Sequence, residues 1–219
     1  MKVVITGSSS GIGAATVEKF LKEGHVVYGI DIKKETPIFT NHKNYTHYVA
    51  DIRKYHHLPI INDVDILINN AGVQNSEDDI GVNLKGLINT TKRYGLQPKI
   101  KSILNLASVS AHNGAEFPEY TASKGGVLSY TIWTAKAVAP YRATCNSLSF
   151  GGVSTPLNSP VMDEPIYWNK IMDMTPLKKW ATPEECAEWI YFFTVVNESC
   201  TGQDLIIDNG EFFNHKFIW

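Results

Sequence analysis

Tyr120 and Lys124 stand four residues apart in the run Tyr-Thr-Ala-Ser-Lys, a spacing that places both side chains on one face of a helix. A tyrosine with an ordinary pKa of about 10 is a poor acid or base at neutral pH, and a nearby lysine ammonium lowers that pKa. The pair alone also fits an ordinary exposed helix face. Ser108 makes the pair informative, because it adds a hydroxyl just after the predicted strand Ser102–Leu106, where parallel sheets bind ligands.

A glycine-rich loop, Thr-Gly-Ser-Ser-Ser-Gly-Ile-Gly at 6–13, joins the first predicted strand to the first predicted helix. Gly7 permits a tight turn, Gly11 lets the backbone approach a pyrophosphate, and Gly13 lets the helix pack closely on the strand. The helix start then offers N–H groups and a positive dipole end to the phosphates. The loop predicts dinucleotide binding, with a simple turn as the alternative. The residues expected to contact the cofactor here are Gly7, Ser9, Ser10, Gly11, Ile12 and Gly13.

Asp31 ends the second predicted strand, close to the glycine loop. A carboxylate at this position accepts hydrogen bonds from both hydroxyls of the adenosine ribose and repels a 2′-phosphate. Ser10 stands before the second glycine, so no cation in the loop compensates such a phosphate, although Lys33 and Lys34 follow closely. The pattern therefore predicts that NAD(H) is preferred over NADP(H). A helix cap or a merely exposed carboxylate is the structural alternative for Asp31.

The elements that must position these residues alternate between short apolar runs and longer amphipathic stretches. The predicted strands are Val3–Thr6, Val26–Ile30, Thr46–Ala50, Asp65–Ile68, Ser102–Leu106, Thr144–Leu148 and Asp204–Ile207. The predicted helices are Gly11–Glu23, Asp79–Tyr94, Glu119–Val138 and Pro183–Val195. Several strands are continuously apolar, which is typical of strands covered on both faces. The alternation predicts a single-domain α/β fold over 1–219: a doubly wound, Rossmann-type, mostly parallel sheet of seven strands with helices on both faces.

The composition is that of an ordinary globular protein, with 219 residues of which 43% are hydrophobic and 19% charged. A formal net charge of -2 provides no basic surface to gather nucleic acid or acidic lipid. No apolar run reaches the roughly 20 residues that span a membrane, and the first residues lack a signal-peptide core. The three cysteines are far apart, and no histidines have metal-ligand spacing. We expect a cytoplasmic protein with reduced thiols, no metal, and neither nucleic-acid nor membrane partners.

Two segments fall outside the strand–helix alternation. Segment 151–182 is rich in proline, methionine and tryptophan, and loops of this length are usually lids or binding loops. We expect a mobile helical flap over a cleft, with an inert surface excursion as the alternative. The C-terminal segment 211–219 holds four aromatic residues and would expose a large apolar patch unless it packed. We expect it to dock across a symmetric subunit interface or over a neighbouring active site, with packing on its own subunit as the alternative.

Taken in order, these motifs resemble the short-chain dehydrogenase/reductase family over nearly the whole chain. The glycine loop is followed by Asn-Asn-Ala-Gly at 69–72, by Asn83, by Ser108 and by the Tyr-x-x-x-Lys pattern at 120–124. The resemblance implies an NAD(P)-dependent oxidoreductase that transfers a hydride between the cofactor and a small molecule. It also implies a homo-oligomer, either a dimer or a tetramer.

The resemblance implies four catalytic residues. Tyr120 would be the general acid in carbonyl reduction and the base in alcohol oxidation, and Ser108 would polarise the substrate oxygen. Lys124 would bind the nicotinamide ribose as well as tune Tyr120, and Asn83 would hold a water that passes protons towards Lys124. An asparagine whose side chain satisfies backbone groups is the structural alternative for Asn83.

The same resemblance extends the cofactor site beyond the loop and Asp31. Asp51 would contact the adenine amino group, Asn69 and Gly72 would border the adenosine ribose, and Thr155 would contact the nicotinamide carboxamide. The structural alternatives are a helix N-cap for Asp51 and a turn residue for Thr155. The additional cofactor-binding residues are Asp51, Ile52, Asn69, Ala71, Gly72, Tyr120, Lys124, Val153 and Thr155.

Three features depart from the family pattern. The segment between Gly72 and Asn83 is shorter than usual, which removes part of one wall of the substrate cleft. Phe150 and two glycines stand where the family has Pro-Gly, which predicts a more mobile turn. The aromatic C-terminal segment is the third departure.

The predicted function is an NAD(H)-dependent oxidoreductase that interconverts a secondary alcohol and a ketone. The substrate pocket is expected between Ser110–Glu119, segment 73–80 and segment 156–180, where methionine and aromatic side chains favour a partly apolar substrate. The polar candidates there are His112, Asn113, Glu116 and Glu119. Sterol-like, sugar-like and acyl-chain substrates remain open. The alternatives are a dinucleotide-binding regulatory or scaffold protein with reduced catalysis, and a nucleotide-sugar epimerase or dehydratase, which normally needs an added C-terminal domain.

Overall fold

Seven parallel strands form one sheet in a computed structural model that describes residues 1–34, 39 and 41–214. The strands are β1 (Lys2–Thr6), β2 (Val26–Asp31), β3 (Tyr45–Val49), β4 (Ile66–Asn69), β5 (Ser102–Ser108), β6 (Thr144–Phe150) and β7 (Asp204–Ile207). Their order is β3-β2-β1-β4-β5-β6-β7, and every neighbouring pair is parallel. The chain reverses its direction of winding between β1 and β4, where a doubly wound sheet opens a ligand crevice.

Helices cover both faces of this sheet. They are α1 (Gly11–Lys22), α2 (Leu87–Thr90), α3 (Ser110–Asn113), α4 (Pro118–Val138), α5 (Ser159–Met162), α6 (Pro165–Met174) and α7 (Pro183–Tyr191). Three π-helical turns extend them: Gly81–Gly86 and Thr91–Gly95 on either side of α2, and Phe192–Val196 after α7. Short 3₁₀ turns lie at Tyr55–His57, Ala139–Tyr141 and Pro156–Asn158. The predicted α/β fold class, with its doubly wound parallel sheet, is confirmed.

The two faces of β1 fill two separate hydrophobic cores. Val3 and Ile5 pack with Phe20 of α1 on one side, whereas Val4 packs with Tyr94 on the other. All five side chains are fully buried. Burial of an aliphatic or aromatic side chain of this size stabilises the fold by about 1.5–3 kcal/mol. Both faces of the central strands are therefore apolar, as the continuous runs predict.

The boundaries of several elements differ from the prediction. The helix predicted over Asp79–Tyr94 contains two π turns, because helical periodicity in the sequence does not distinguish an α turn from a π turn. Strands β5 and β6 run two residues beyond their predicted ends, since Ser108 pairs with Phe150 and both faces stay covered. These extensions bring Ser108 to the edge of the sheet.

The predicted flap, segment 151–182, contains helices, and its two ends lie side by side. Val153 forms a parallel bridge with Ala181, and α5 and α6 lie between them. Its mobility stays a prediction. Among the described residues, no helix has the length and apolar character needed to cross a bilayer.

The C-terminal segment is described only at its start, because residues 215–219 lie outside the described residues. Asn214 donates a hydrogen bond from Nδ2 to the Met174 carbonyl oxygen at 2.5 Å, which holds the segment against α6. Phe212 and Phe213 are 39% and 69% exposed. The expected docking of segment 211–219 on another subunit stays a prediction.

Candidate active site

A cleft of about 760 Å³ runs along the carboxyl ends of the central strands. This size is within the range of small-molecule and cofactor sites. The predicted site residues that line it are Gly7, Ser10, Gly11, Ile12, Asp31, Asp51, Ile52, Ala71, Gly72, Ser108, Tyr120, Lys124, Val153 and Thr155. The structure thus brings the glycine loop and the Ser–Tyr–Lys group into one cleft, while Ser9, Gly13, Asn69 and Asn83 lie behind its walls.

The glycine loop has the geometry of a phosphate cradle. Gly7 and Gly11 have φ values of +67° and +52°, in the left-handed region that favours glycine. A Cβ on Gly13 would lie 1.9 Å from the Gly7 carbonyl oxygen, so only glycine lets α1 pack this closely. The Ser10 side chain makes no capping hydrogen bond, which leaves the first N–H groups of α1 for a ligand. Thr155 lies opposite, with its Cγ2 3.3 Å from the position of a Cβ on Gly11.

Asp31 connects the end of β2 to the glycine loop. Its Oδ2 accepts a hydrogen bond from the Ser9 N–H at 3.0 Å, and its Oδ1 accepts one from the Lys33 N–H at 2.9 Å. The backbone of Ser9 therefore helps to position the Asp31 carboxylate at the cleft. The carboxylate is fixed at the end of the strand and faces the cleft.

Arg53 is a cleft residue that the sequence interpretation missed. It contacts the Asp51 carboxylate at two points, with Nη2–Oδ2 at 2.8 Å and Nε–Oδ1 at 3.0 Å, and its Nη1 reaches Asp78 Oδ2 at 3.2 Å. The hydrogen bonds from Arg53 hold the pKa of Asp51 below its usual value. Ile52 between them is buried. The short spacing of Asp51 and Arg53 is the only signal in the sequence, because Asp78 joins them only in the fold.

The side chain of Asn69 points into the protein interior. Its Nδ2 donates to Thr91 Oγ1 at 3.0 Å and to Asn105 Oδ1 at 2.8 Å, and its Oδ1 accepts from Thr90 Oγ1 at 2.6 Å. Both N–H groups are thus used inside a buried network. The Asn69 side chain is therefore occupied inside the protein, and the expected contact of Asn69 with the adenosine ribose stays a prediction. Asn70, the next residue, lines the cleft instead.

Ser108, Tyr120 and Lys124 meet at the inner end of the cleft. Ser108 and Tyr120 both line the cleft there, and Lys124 Nζ lies 5.7 Å from the centre of the Tyr120 ring. Lys124 is 6% exposed and donates a hydrogen bond to the Leu106 carbonyl oxygen at 2.9 Å. The helical spacing of Tyr120 and Lys124 therefore aims both side chains at the end of β5, where Ser108 stands.

Burial dominates the protonation of this group. It raises the pKa of Tyr120 to about 12, which outweighs the lowering effect of the Ser108 hydrogen bond. It also lowers the pKa of Lys124 to about 8. Desolvation of the phenolate is thus the largest effect on the Tyr120 pKa, and the expected lowering by Lys124 stays a prediction. At neutral pH the site holds a neutral phenol beside an ammonium.

Asn83 supports the wall of the cleft from behind. Its Oδ1 accepts from the Val73 N–H at 2.8 Å, and its Nδ2 donates to the Val73 carbonyl oxygen at 2.9 Å and to Ser123 Oγ at 3.0 Å. A Cβ on Gly72 would lie 3.3 Å from Asn83 Oδ1 and 3.6 Å from Lys124 Nζ. Asn83 is therefore close to Lys124, with an amide that satisfies backbone groups; its expected water-holding role stays a prediction.

The other end of the cleft differs in part from the predicted substrate pocket. Of the polar candidates, Glu116 lines it, whereas His112 turns away and bonds Asp204 Oδ2 at 2.9 Å and Ser149 Oγ at 3.1 Å. The methionines of the flap do not line it. Glu211, which the sequence interpretation missed, enters from the C-terminal segment. The residues at this end are Val73, Gln74, Ser76, Glu116, Leu157, Asn158, Trp180 and Glu211.

The turn after β6 is fixed by hydrogen bonds and by an indole ring. The Gly151 N–H donates to the Ile207 carbonyl oxygen at 3.0 Å, and the Ala181 N–H donates to the Gly152 carbonyl oxygen at 3.2 Å. A Cβ on Gly152 would lie 2.0 Å from the Trp180 ring. These contacts restrain the turn, and its expected mobility stays a prediction.

Comparison with known proteins gives consistent matches over the chain. A family model described as enoyl-(acyl carrier protein) reductase matches residues 7–211. The 3-oxoacyl-(acyl-carrier-protein) reductase FabG of Thermotoga maritima is 30% identical, over 94% of this chain and 96% of the relative. The structure is similar to 4-hydroxyisoleucine dehydrogenase complexed with NADH, with a TM-score of 0.86, 26% identity, and coverage of 96% of this chain and 98% of that one. It is also similar to ElxO with NADP bound, with a TM-score of 0.85, 25% identity and the same coverage.

Proposed function

The chain belongs to the short-chain dehydrogenase/reductase family, and on this basis we propose that it is an NAD(H)-dependent oxidoreductase that interconverts a secondary alcohol and a ketone. The observation that carries the proposal is the meeting of Ser108, Tyr120 and Lys124 in the same cleft as the glycine loop. One end of the cleft suits a nucleotide and the other a small molecule. The reacting atoms would lie between them.

The residues of the loop fit a dinucleotide. A Cβ on Gly7 would lie 2.7 Å from Asn70 Nδ2 and 2.8 Å from the Ala71 Cα, so the backbone there leaves space only for a glycine. The N–H groups at the start of α1 would hold the phosphates, and Asp31 would hold the adenosine ribose. When bound, the nicotinamide supplies or accepts the hydride. The remaining chemistry belongs to the side chains.

Tyr120 would donate the proton in ketone reduction and accept it in alcohol oxidation. With a pKa of about 12, its phenol keeps its proton at neutral pH and can donate it to the oxygen of a substrate ketone. Ser108, which lines the cleft together with Tyr120, would orient that same oxygen. The Lys124 ammonium stabilises negative charge that develops on Tyr120, and in a buried site this effect is large.

Asp31 supports the preference for NAD(H). Its carboxylate faces the cleft at the position expected for the adenosine ribose, and Lys33 is the cation beside it that lines the cleft. Lys33 uses its backbone N–H to bond Asp31, so the carboxylate stays fixed where a 2′-phosphate would approach. The negative charge disfavours NADP(H) at this point.

Cys145, Cys186 and Cys200 are free thiols, which fits a reducing compartment, and we place the enzyme in the cytoplasm.

We also propose a homo-oligomer, because large apolar side chains such as Trp133 on α4 and Trp189 on α7 are 50% and 41% exposed. Such patches are usually covered in a symmetric assembly.

Tyr120→Phe tests the function directly. The variant should lose at least about 100-fold in turnover, since it lacks the proton donor, while it keeps its affinity for NADH. NADH absorbance with a panel of alcohols and ketones measures turnover, and NADH fluorescence measures binding. Tyr167→Phe is the matched control, because Tyr167 lies on α6, is 62% exposed and does not line the cleft. Undiminished turnover in Tyr120→Phe would reject the proposed mechanism.

A further inference from the structure

We propose that the substrate end of the cleft selects a neutral substrate with neighbouring hydroxyl groups, that is, a polyol or a sugar. The inference rests on the proposed function and adds a substrate class to it. It departs from the apolar substrate that the flap sequence favours. The proposal is supported by five side chains that line this end of the cleft, those of Gln74, Glu116, Asn158, Trp180 and Glu211.

Glu116 is connected to the reacting group by a chain of hydrogen bonds. Ser108 Oγ donates to Ser110 Oγ at 3.1 Å, and Ser110 Oγ donates in turn to Glu116 Oε2. Gln74 Nε2 holds the other carboxylate oxygen at 3.1 Å. The Glu116 carboxylate is thereby fixed near Ser108, where it can accept hydrogen bonds from hydroxyls next to the reacting carbon.

Glu211 provides a second carboxyl group from the C-terminal segment. The path of that segment is set by Asp208, which accepts hydrogen bonds from the Gly210 N–H at 2.9 Å and the Phe212 N–H at 2.5 Å. Burial raises the pKa of the Glu211 carboxyl, and the charges of Asp208 and Glu116 raise it further. Both glutamates line the same cleft.

The distribution of charge along the cleft disfavours an acidic substrate. The cations that line the nucleotide end are Lys33 and Arg53, and Lys124 lies at the centre. The substrate end is lined by the carboxyl groups of Glu116 and Glu211, with no lysine or arginine among the described residues there. A carboxylate or phosphate on the substrate would thus approach like charge without a compensating cation.

Trp180 adds a flat apolar face to these polar groups. Its ring packs on Gly152 and meets Trp168 edge-on, with ring centres 5.1 Å apart. Its Nε1 is buried and has no hydrogen-bond partner within the described part of the chain. An indole beside carboxylates and amides matches a sugar or polyol, which has an apolar C–H face and a rim of hydroxyls.

The first test compares kcat/KM for three sets of alcohols, with NAD⁺ and NADP⁺ in parallel. The sets are pentitols, hexitols and aldoses; the aldonic acids that correspond to them; and simple cycloalkanols such as cyclopentanol. The best polyol or sugar should exceed both its acid and cyclopentanol by about tenfold or more. A cycloalkanol or an aldonic acid as the best substrate would overturn this inference and leave the proposed function standing. Turnover of no compound with either cofactor would overturn both.

The second test changes the charge at the substrate end. Glu116→Gln and Glu211→Gln should each reduce the preference for the polyol over its acid by about tenfold, because each removes one repulsive charge. NADH affinity, measured by fluorescence, reports whether the cleft stays folded. Glu198→Gln is the control, since Glu198 is exposed and outside the cleft, and its preference should equal that of the wild type. An unchanged preference in both cleft variants would overturn the inference.

Discussion

Tyr120 and Lys124 share one buried end of the cleft, and burial moves their pKa values in opposite directions. The phenol holds its proton more tightly, with a pKa of about 12, whereas the ammonium loses hydration and has a pKa of about 8. Both groups are therefore protonated at neutral pH. This is the form that carbonyl reduction requires, and alcohol oxidation requires that Tyr120 first lose its proton.

The buried charge of Lys124 reduces the stability of the fold below about pH 8. Its pKa is about 8 in the folded protein and 10.5 ordinarily, so the unfolded chain binds more protons between these values and stability rises with pH there. Lys124→Met removes this cost, which is on the order of 3 kcal/mol at pH 7. The variant should be inactive but more stable at pH 7, and the gain should shrink towards pH 10.5.

Urea unfolding of both proteins at pH 7 and pH 10.5 measures this effect. Lys136→Met on the same helix is the control, because Lys136 is exposed and should show no such pH-dependent gain. An equal difference in the free energy of unfolding at both pH values would show that the Lys124 charge is not the cause.

At the scale of elements, the proposed cofactor site lies where β2 ends beside the glycine loop. Asp31 belongs to the strand, and its hydrogen bond with the Ser9 N–H fixes the loop relative to the sheet. A change at this residue should therefore affect the loop as well as the proposed binding of the cofactor. This explains why an uncharged side chain of the same shape is the best probe of cofactor choice.

Asp31→Asn tests the choice between the two cofactors. The wild type should have a higher kcat/KM with NAD⁺ than with NADP⁺, and the variant should lower this ratio by about tenfold, because the repulsion of a 2′-phosphate is lost. Steady-state kinetics with both cofactors measures the ratio. Asp63→Asn is the control, as Asp63 is exposed and its φ of 59° suits asparagine. A wild-type preference for NADP⁺ would contradict the proposal.

The sequence predicts the sheet and the glycine loop well, because apolar runs and glycine spacing are local properties. It does not predict the π turn around Asn83, since one extra residue in a turn leaves the apolar periodicity almost unchanged. It also misses Arg53, whose partner Asp78 is distant in sequence, and Glu211, whose place in the cleft depends on the path that the chain takes after β7. The inward direction of Asn69 likewise depends on a network that only the fold assembles.

At the scale of the whole molecule, two apolar surfaces lie on two different helices, α4 and α7. Ile132 and Trp133 of α4 are each 50% exposed, and Trp189 and Phe192 at the end of α7 are 41% and 47% exposed. A monomer rarely leaves so much aromatic surface in water. Both surfaces are candidates for contacts between copies of the chain, in addition to the segment after 211.

Deletion of residues 212–219 tests whether the C-terminal segment joins subunits. The wild type should be a dimer or tetramer, and the deletion should give a smaller species, because the aromatic residues are lost from the interface. Light scattering measures the mass. Ile60→Glu is the control, since Ile60 is 75% exposed on another surface. If the deletion variant keeps the mass of the wild type and Trp133→Glu dissociates it, the contact between subunits lies on α4 instead.

The packing of Trp180 on Gly152 links two positions that are 28 residues apart in the chain. Any side chain gained at 152 would collide with the indole, and any smaller residue at 180 would leave a gap beside the glycine. Homologous sequences should therefore change these two sites together or not at all. A change in the size of the substrate that the enzyme accepts would then require a paired substitution, which makes such a change slow to evolve.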